Sequence, residues 1–464
     1  MSLETGNIRQ VYLIGIGGIG MSALARYFAY RGLKVAGYDS TPSPLTAELI
    51  SEGISATFTD DIKSIPTEFI EDRNSTLVVY TPAVPKDHNQ LQYFEANRFT
   101  IQKRAKVLGL IASSYQTAAV AGTHGKTSTS TMLAHLLNST PEGCNAFLGG
   151  ISKNYASNLI LSDKDQKRLV VEADEFDRSF LSLTPQLAIV TSIDADHLDI
   201  YNNHNQVKQA FVDFINKVEP NGTLIIKKGL EEIAALRNDI KTYTYSITQA
   251  ADFCLKSIHN SNGYYTFDLQ TPFGLIEGIS LGIPGKYNVE NSVAASAAAL
   301  SWGINPEILK QGLKTFKGIA RRFDIQHVGK TVYIDDYAHH PEEIRAAVNS
   351  VREMFPLRKI TGIFQPHLYT RTRDFYSEFA ESLSLLDELI LLDIYPAREL
   401  PIPGISSQII MDRVICSNKH MCKLGELQNL LNKLKLDVLV TMGAGNIDRE
   451  VPKIVELLSK REGK

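Results

Sequence analysis

The chain has 464 residues, of which 44% are hydrophobic and 21% charged, and its formal net charge is −3. This length predicts several globular domains, and the charge excludes the strongly basic surface typical of nucleic-acid-binding proteins. Four cysteines without ligand spacing exclude a disulfide scaffold and a zinc knuckle. We find no signal peptide and no run of about 18 apolar residues, which predicts a cytoplasmic protein without a membrane partner.

The amino-terminal third opens with one βαβ unit. An apolar strand at residues 11–16 leads into a glycine-rich turn, a helix and a second strand that ends in an acid. Glycines let the backbone approach a diphosphate, the helix amino terminus adds positive charge, and the acid is placed to contact a ribose hydroxyl. A tight turn without a ligand is the alternative. The segment predicts a nucleotide-diphosphate site with the residues Gly15, Gly17, Gly18, Gly20 and Asp39.

A second strand, at residues 117–121, leads into a shortened variant of a phosphate-binding loop, with Val120 where such loops usually have their first glycine. Backbone N–H groups at a helix start cradle phosphate, Lys126 is placed to neutralise a transferred phosphoryl group, and the Thr127 hydroxyl suits Mg²⁺. A glycine-rich turn with a surface lysine is the alternative. The predicted ATP-binding residues are Gly122, Thr123, His124, Gly125, Lys126, Thr127 and Ser128.

Two acidic segments directly follow apolar strands in the same region, at residues 172–177 and 194–199. Ligands of open α/β sheets bind at the carboxyl ends of the strands, and Mg²⁺ prefers carboxylate and phosphate oxygens. The sequence therefore predicts a magnesium site where these two acidic strand ends meet the Thr127 hydroxyl, with His197, a residue type less usual for this ion, as an additional ligand. Solvated acidic turns are the alternative.

Two asparagines, Asn288 and Asn291, precede an alanine-rich helix at residues 294–299. Asparagine amides can hydrogen-bond the edge of an adenine ring, which makes both residues candidates for ATP binding. Helix capping by Asn288 is an alternative of at least equal weight.

The last third of the chain begins like the other two, with an apolar strand near residues 331–335 and a helix that Pro341 opens. Arg322 and Arg371 suit bidentate binding of carboxylate or phosphate, with surface salt bridges as the alternative. The alternation of strands and helices predicts three α/β domains in series. They are a Rossmann-like domain at 1–106, a central P-loop-like ATPase domain at 107–320 and a Rossmann-like domain at 321–464.

Taken together, these motifs resemble the Mur ligases of peptidoglycan synthesis from about residue 10 to residue 445. The resemblance lies in the segments Gly15–Ser22, Gly122–Thr127, Val171–Glu175, Asp196–His197, Arg321–Phe323, Asp335–Pro341 and Asp393–Ala397. It implies a ligase of cell wall biogenesis that uses ATP and Mg²⁺. Such an enzyme forms an amide between the lactyl carboxylate of UDP-N-acetylmuramate and L-alanine through an acyl phosphate.

The resemblance also implies roles for single residues. It places Lys126 and Thr127 in the ATP loop, Glu172 and His197 at a second magnesium site, Asn288 and Asn291 at the adenine, Arg322 and Asp336 at the nucleotide, and Tyr337, His339 and Arg371 near the incoming alanine. The catalytic candidates are Lys126, Glu172, His197, His339 and Arg371. Two positions depart from the family, which usually has histidine at Tyr287 and arginine at Leu368.

Three other functions stay open at the level of sequence. The nearest is the recycling ligase of the same family, which takes a ready-made peptide and usually has a different opening glycine segment. A dinucleotide-dependent dehydrogenase is disfavoured by the second phosphate loop at residues 122–127. A non-catalytic nucleotide-sensing module is disfavoured by Lys126, Glu172 and His197.

Overall fold

The structure is a computed structural model that describes residues 8–162, 166–194, 204–234, 237–397 and 399–463. It contains three sheets, and helices connect most strands of the first and the third, so the predicted α/β class is confirmed. The chain divides into two compact units. The first is Met1–Leu255, Leu269–Ile276 and Asn291–Leu313, and the second is Lys256–Asp268, Glu277–Glu290 and Lys314–Lys464. Within the described ranges, no helix is long and apolar enough to cross a membrane.

The first sheet has five parallel strands. They are β1 (Gln10–Ile14), β2 (Lys34–Tyr38), β3 (Ser55–Thr57), β4 (Thr76–Tyr80) and β5 (Thr100–Lys103), and the accompanying helices are α1 (Ile19–Tyr30), α2 (Pro44–Ser51), α3 (Thr67–Glu71), α4 (Asn89–Ala96) and α5 (Arg104–Ala112). The strand order is β3-β2-β1-β4-β5. All five residues of β1 are buried, because a central parallel strand is covered on both faces.

The second sheet has ten strands. They are β6 (Gln116–Ala121), β7 (Asn145–Ser152), β8 (Ser157–Ile160), β9 (Arg168–Glu172), β10 (Leu187–Val190), β11 (Thr223–Lys227), β12 (Lys241–Ser246), β13 (Phe253–Ser261), β14 (Tyr264–Thr271) and β15 (Gly274–Ser280). Their order is β15-β14-β13-β12-β11-β10-β6-β9-β7-β8. Strand β6 pairs in parallel with both β9 and β10, so the segments that follow these three strands start at one edge of the sheet.

Four α-helices belong to this part of the chain: α6 (Lys126–Asn138), α7 (His204–Ile215), α8 (Lys286–Ser301) and α9 (Pro306–Thr315). Helix α8 begins well before the alanine-rich stretch that the sequence marked as helical, so Asn288 and Asn291 lie inside the helix and not ahead of it. The alanines of α8 are fully buried, and their small side chains allow close packing in the interior.

The third sheet lies in the second unit and has six strands. They are β16 (Asp324–Val328), β17 (Val332–Asp336), β18 (Ile360–Phe364), β19 (Glu388–Leu392), β20 (Asn418–Cys422) and β21 (Val438–Met442), and the helices are α10 (Pro341–Met354), α11 (Tyr369–Leu383), α12 (Gln408–Met411), α13 (Leu427–Lys433) and α14 (Val451–Glu462). The order is β16-β17-β21-β18-β19-β20, with only β16 antiparallel to its neighbour.

One hydrophobic core joins the first sheet to the central part of the second. It contains residues of both, among them Leu24 of α1, Phe147 of β7 and Val171 of β9. A fully buried asparagine supports the same junction: the Nδ2 atom of Asn158 donates to the Ile19 carbonyl at 2.6 Å and to the Ser22 hydroxyl at 2.9 Å. The first turn of α1 is therefore held by a strand of the second sheet.

Candidate functional site

The glycine turn after β1 is shaped by Asp39. Gly15 has a φ of 90°, which an L-residue rarely adopts, and the N–H of Gly17 donates to Oδ2 of Asp39 at 2.8 Å. A Cβ atom at position 17 would lie 2.8 Å from that same oxygen, so glycine is needed for the contact. In this structure the Asp39 carboxylate orders the loop, and its predicted contact with a ribose hydroxyl stays a prediction.

A large cavity of about 750 Å³ opens beside this turn, within the first unit. Gly15, Gly18, Gly20 and Asp39 line one part of it, and Glu172 lines another. The volume suits a ligand of nucleotide-sugar size. The structure thus brings four of the five predicted nucleotide-diphosphate residues and one predicted magnesium ligand to the same cavity.

The second phosphate loop has two glycines in conformations that favour glycine. Gly122 has a φ of 140° and Gly125 a φ of 79°. A Cβ atom at Gly122 would lie 2.0 Å from the Thr191 hydroxyl oxygen, so the loop passes too close to the end of β10 for any side chain. Helix α6 then begins at Lys126, and its free N–H groups point towards the loop, as a phosphate site requires.

Lys126 is fixed by one carboxylate. Its Nζ donates to both oxygens of Glu175, at 2.9 and 2.8 Å, and to the Gly122 carbonyl at 2.7 Å. Burial lowers the pKa of Lys126, but the Glu175, Asp174 and Glu172 carboxylates more than compensate and hold that pKa above its ordinary value. The side chain of Glu175 is only 1% exposed, and this burial raises its pKa. Lys126 is therefore a cation at neutral pH.

The segment after β10 stabilises the second phosphate loop through hydrogen bonds. The Thr123 hydroxyl lies 2.8 Å from the Ser192 hydroxyl and donates to Oδ2 of Asp194 at 3.3 Å, and the N–H of His124 donates to the Ser192 hydroxyl at 2.9 Å. The predicted ligand His197 lies outside the described residues, so its place relative to the loop stays a prediction.

Glu172 is held against a glycine of the neighbouring strand. The N–H of Gly149 donates to Oε2 of Glu172 at 3.1 Å, and a Cβ atom at Gly149 would lie 2.2 to 2.4 Å from the three carboxyl atoms. The carboxylate thus occupies a place that only glycine leaves open. Over the described ranges, no group of three or more histidine, cysteine and acidic side chains is arranged to hold a metal ion.

Asn288 and Asn291 make different contacts. The Asn288 amide, in the first turn of α8, donates to the carbonyl of Pro284, which precedes the helix, at 2.7 Å. In the first unit, Oδ1 of Asn291 would lie 2.6 Å from a Cβ atom at Gly125. Asn291 therefore borders the phosphate loop, whereas the Asn288 side chain stabilises the start of its own helix.

In the second unit, four of the predicted residues cluster at the end of β17. Oδ2 and Oδ1 of Asp336 accept the N–H groups of Phe323 and Ala338, both at 2.7 Å. Burial raises the pKa of Asp336 to about 6, although Arg322 opposes the shift. The remaining members of the cluster are Arg322, with its guanidinium 4.8 Å from the Tyr337 ring centre, and His339, with its ring 5.2 Å from that of Tyr337.

The two departures from the family pattern are a buried leucine and a tyrosine that packs against another aromatic ring. Leu368 is 7% exposed and precedes α11 with a φ of 72°, which is rare for a leucine. Tyr287 packs against Phe323, with ring centres 6.2 Å apart. Arg371 is 8% exposed, whereas Arg373, two residues further along α11, donates hydrogen bonds to its neighbour Asp374.

Three residues near the two loops were not assigned from the sequence. Glu175 stands in the acidic segment after β9, but its pairing with Lys126 joins residues far apart in the chain. Gly149 carries no motif. Arg104 follows the carboxyl end of β5 and lines the cavity, so the rule that ligands bind at that edge of a parallel sheet was the available signal.

Comparison with known families gives three matches in series. The models described as Mur ligase family, catalytic domain, Mur ligase middle domain, and Mur ligase, glutamate ligase domain match residues 10–116, 120–299 and 321–445. The chain belongs to the Mur ligase family. This confirms the predicted family and the three domains in series, while the predicted boundaries near residues 106 and 320 stay predictions.

Curated relatives match over the whole length. The chain is 53% identical to the UDP-N-acetylmuramate–L-alanine ligase of Parabacteroides distasonis over 99% of both chains, and 50% identical to that of Phocaeicola vulgatus over 99% of this chain and 100% of the relative. Such identity over the full length supports the predicted resemblance to the Mur ligases that use L-alanine.

Two solved structures have a fold similar to that of this chain. The UDP-N-acetylmuramate-alanine ligase of Thermotoga maritima has a TM-score of 0.83 at 26% identity and covers 97% of this chain and 99% of that one. A murein peptide ligase of Psychrobacter arcticus has a TM-score of 0.71 at 21% identity, with 97% and 98% covered. The second likeness shows the fold alone.

Proposed function

We propose that this chain is an ATP-dependent ligase that joins the lactyl carboxylate of UDP-N-acetylmuramate to L-alanine in peptidoglycan precursor synthesis. The observation that carries the proposal is the 53% identity, over 99% of both chains, to a relative of that name. In the proposal the reaction takes place in the cytoplasm and has no nucleic-acid or membrane partner.

The loop at residues 122–128 is the proposed ATP site, with Asn288, Asn291, Arg322 and Asp336 as further nucleotide contacts. Its support is the conformation of the loop and the charge state of Lys126, whose pKa is raised by the carboxylates around it. A lysine that is already charged stabilises the negative charge that spreads over a transferred phosphoryl group. Glu175 holds the ammonium beside the Gly122 carbonyl and so keeps it at the loop.

Thr127, Glu172 and His197 are the proposed ligands of Mg²⁺. A hydroxyl and a carboxylate suit this ion together with phosphate oxygens and water, and Gly149 leaves room for the Glu172 carboxylate at the edge of the cavity. When bound, the ion would supply positive charge to the phosphate oxygens. The Gly149 N–H holds the Glu172 carboxylate in position.

The cavity of the first unit is the proposed site of the UDP substrate, with Gly15, Gly17, Gly18, Gly20 and Asp39 around its phosphates and ribose. The proposed contacts of the incoming alanine are Tyr337, His339 and Arg371. In support, Nδ1 of His339 lies 3.0 Å from the Tyr337 carbonyl and 3.2 Å from Oε2 of Glu343, which fixes the imidazole.

The proposed reaction has two steps. A lactyl carboxylate oxygen attacks the γ-phosphorus of ATP, and ADP leaves with the electron pair of the broken P–O bond. The alanine amine then attacks the carbon of the acyl phosphate, phosphate leaves, and the nitrogen loses a proton to form the amide. Phosphorylation is needed because a carboxylate is a poor electrophile, and exclusion of water protects the acyl phosphate from hydrolysis.

The test is phosphate release from ATP in the presence of Mg²⁺, UDP-N-acetylmuramate and one amino acid at a time. Release that depends on both the UDP substrate and L-alanine, with the coupled product identified by mass spectrometry, is the expected result. The alternative within the family is tested by replacing alanine with the peptide L-alanyl-γ-D-glutamyl-meso-diaminopimelate, and faster turnover with that peptide would contradict the proposal.

A further inference from the structure

Arg104 projects into the cavity of the first unit from the carboxyl edge of the first sheet. It is the first residue of α5 and directly follows β5. Its side chain is 19% exposed, and it lines the cavity together with Gly18, Gly20 and Glu172. A mostly buried cation therefore faces the same space as the glycine turn.

The N–H groups of the Arg104 guanidinium have almost no partners among the described residues. Among the described residues its single ionic partner is Asp174, with Nη2 and Oδ2 3.9 Å apart, and it donates no hydrogen bond to them. Arg26, in the same unit and with a side chain 12% exposed, shows the contrast, because it donates to Glu48, Glu52 and Asn158. A guanidinium has five N–H donors, and leaving a buried charge without hydrogen bonds destabilises the folded state.

Gly20 makes room for this arrangement. A Cβ atom at position 20 would lie 2.8 Å from Nη1 of Arg104, 3.3 Å from Cδ and 3.4 Å from Cζ. Gly20 lies in the first turn of α1, where the helix amino terminus carries partial positive charge. An anionic oxygen in this part of the cavity would meet the helix amino terminus and the guanidinium together.

We propose that Arg104 binds an anionic oxygen of the UDP-linked substrate. The inference rests on the proposed function for the identity of that substrate, which carries two such groups, the diphosphate and the lactyl carboxylate. Both offer oxygen pairs that match the guanidinium fork. Bound substrate would supply the hydrogen bonds that the described residues do not.

The experiment is calorimetric titration of UDP, UDP-N-acetylglucosamine and UDP-N-acetylmuramate into the full chain. The variants are Arg104→Met, which keeps the apolar stem, Arg104→Lys, which keeps the charge, and the control Lys103→Met, which removes a neighbouring charge whose side chain is 52% exposed. We expect Arg104→Met to weaken binding by about ten- to a hundredfold, Arg104→Lys to recover part of the loss, and Lys103→Met to bind like wild type.

The three ligands separate the two anionic groups. A similar loss for all three assigns Arg104 to the diphosphate, whereas a loss confined to UDP-N-acetylmuramate assigns it to the lactyl carboxylate, which the other two lack. Wild-type binding of UDP-N-acetylglucosamine without binding of UDP-N-acetylmuramate would overturn the proposed function, and the role of Arg104 would still be read from the first two ligands. Affinities of Arg104→Met within twofold of wild type for all three would overturn the inference itself.

Thermal unfolding without ligand separates binding from a structural role. Because Arg104 donates no hydrogen bond to the described residues, Arg104→Met should melt at the wild-type temperature or above it, whereas Arg26→Met should melt lower. A clear loss of stability in Arg104→Met that parallels its loss of affinity would contradict a binding role.

A double-mutant cycle with Gly20→Ala tests the geometry. The added methyl group displaces the guanidinium, so Gly20→Ala should weaken binding of UDP-N-acetylmuramate in the wild-type background and much less in Arg104→Met. Equal losses in both backgrounds would show that Gly20 acts independently of Arg104 and would contradict the proposed placement.

Discussion

Lys126 and Glu175 form a buried ion pair in which the ammonium contacts both carboxylate oxygens, at 2.9 and 2.8 Å. The lysine begins α6, and the glutamate follows β9. The two strands that lead to these residues, β6 and β9, are adjacent and parallel. The proposed phosphate loop and the acidic segment are therefore tied together before any nucleotide binds.

Lys126→Ala should abolish ligation and leave binding of the UDP substrate nearly intact, since the glycine turn of the first sheet does not include this residue. Calorimetry with UDP-N-acetylmuramate and an assay of phosphate release measure the two effects. The matched control is Arg104→Met, which we expect to weaken binding of the UDP substrate. A large loss of UDP-substrate affinity in Lys126→Ala would show that the two sites are not separate.

The same substitution should destabilise the protein in a pH-dependent way. It removes the cation that Glu175 contacts, and breaking a buried pair costs about 3–5 kcal/mol. Burial raises the pKa of Glu175 above its value in the unfolded chain, so the folded variant binds the proton more tightly and its stability falls as pH rises. Denaturation at pH 5 and pH 8 should show the larger deficit at pH 8, and Lys126→Met combined with Glu175→Gln should recover most of it.

Gly149→Ala should raise the Mg²⁺ concentration that half-maximal activity requires. Its methyl group would overlap the Glu172 carboxyl group and remove the bond from the Gly149 N–H, and loss of such an outer contact weakens metal binding about 10- to 100-fold. Gly425→Ala is the control, because a Cβ atom there meets nothing within 4 Å. If the Mg²⁺ midpoint of Gly149→Ala equals that of the control, Glu172 is not a magnesium ligand.

Asp336 should give the second unit a stability that depends on pH. Burial raises its pKa from 3.8 to about 6, so the folded state binds the proton more tightly than the unfolded state between these values. The free energy of unfolding of wild type, relative to Asp336→Asn, should therefore fall as pH rises from about 4 to about 6 and stay constant above. Chemical denaturation of both proteins across this range is the measurement. A difference that rises over the same window would exclude the raised pKa.

Arg371→Ala should raise the KM for alanine about ten- to a hundredfold, the loss expected for one charge-assisted hydrogen bond, without changing the KM for ATP. Arg373→Ala is the matched control on the same helix, because Arg373 is bonded to Asp374 and its side chain is 51% exposed. Equal alanine KM values for Arg371→Ala and wild type would remove this segment from the amino-acid site.

Much of the fold was predictable because it depends on local patterns. Apolar runs marked the strands at residues 11–16, 117–121 and near 331–335, and the structure has strands at Gln10–Ile14, Gln116–Ala121 and Val332–Asp336. The start of α8 was missed because Asn288 and Asn291 are weak helix formers, and burial of the helix among apolar neighbours outweighs that preference.

The contacts that the site residues make with other parts of the chain were harder to predict from the sequence. The motifs indicated Lys126 and Glu172, but the contacts of these residues depend on strand order. Glu172 meets Gly149 only because β7 lies beside β9, and Arg104 reaches Gly20 only through the packing of the first sheet. Neither sequence spacing nor residue type carries that information.

The carboxamide of Asn158 has a consequence for how this chain can be divided. It donates hydrogen bonds to the first turn of α1 from a strand 136 to 139 residues away in the chain, and the shared core runs through the same junction. A polypeptide that stops at residue 116 would contain the whole first family region and yet expose the apolar surface of α1 to water. The glycine turn therefore depends on a part of the chain outside the first family region. If residues up to 116 were fused to another protein, the turn would lack the strand that supports it.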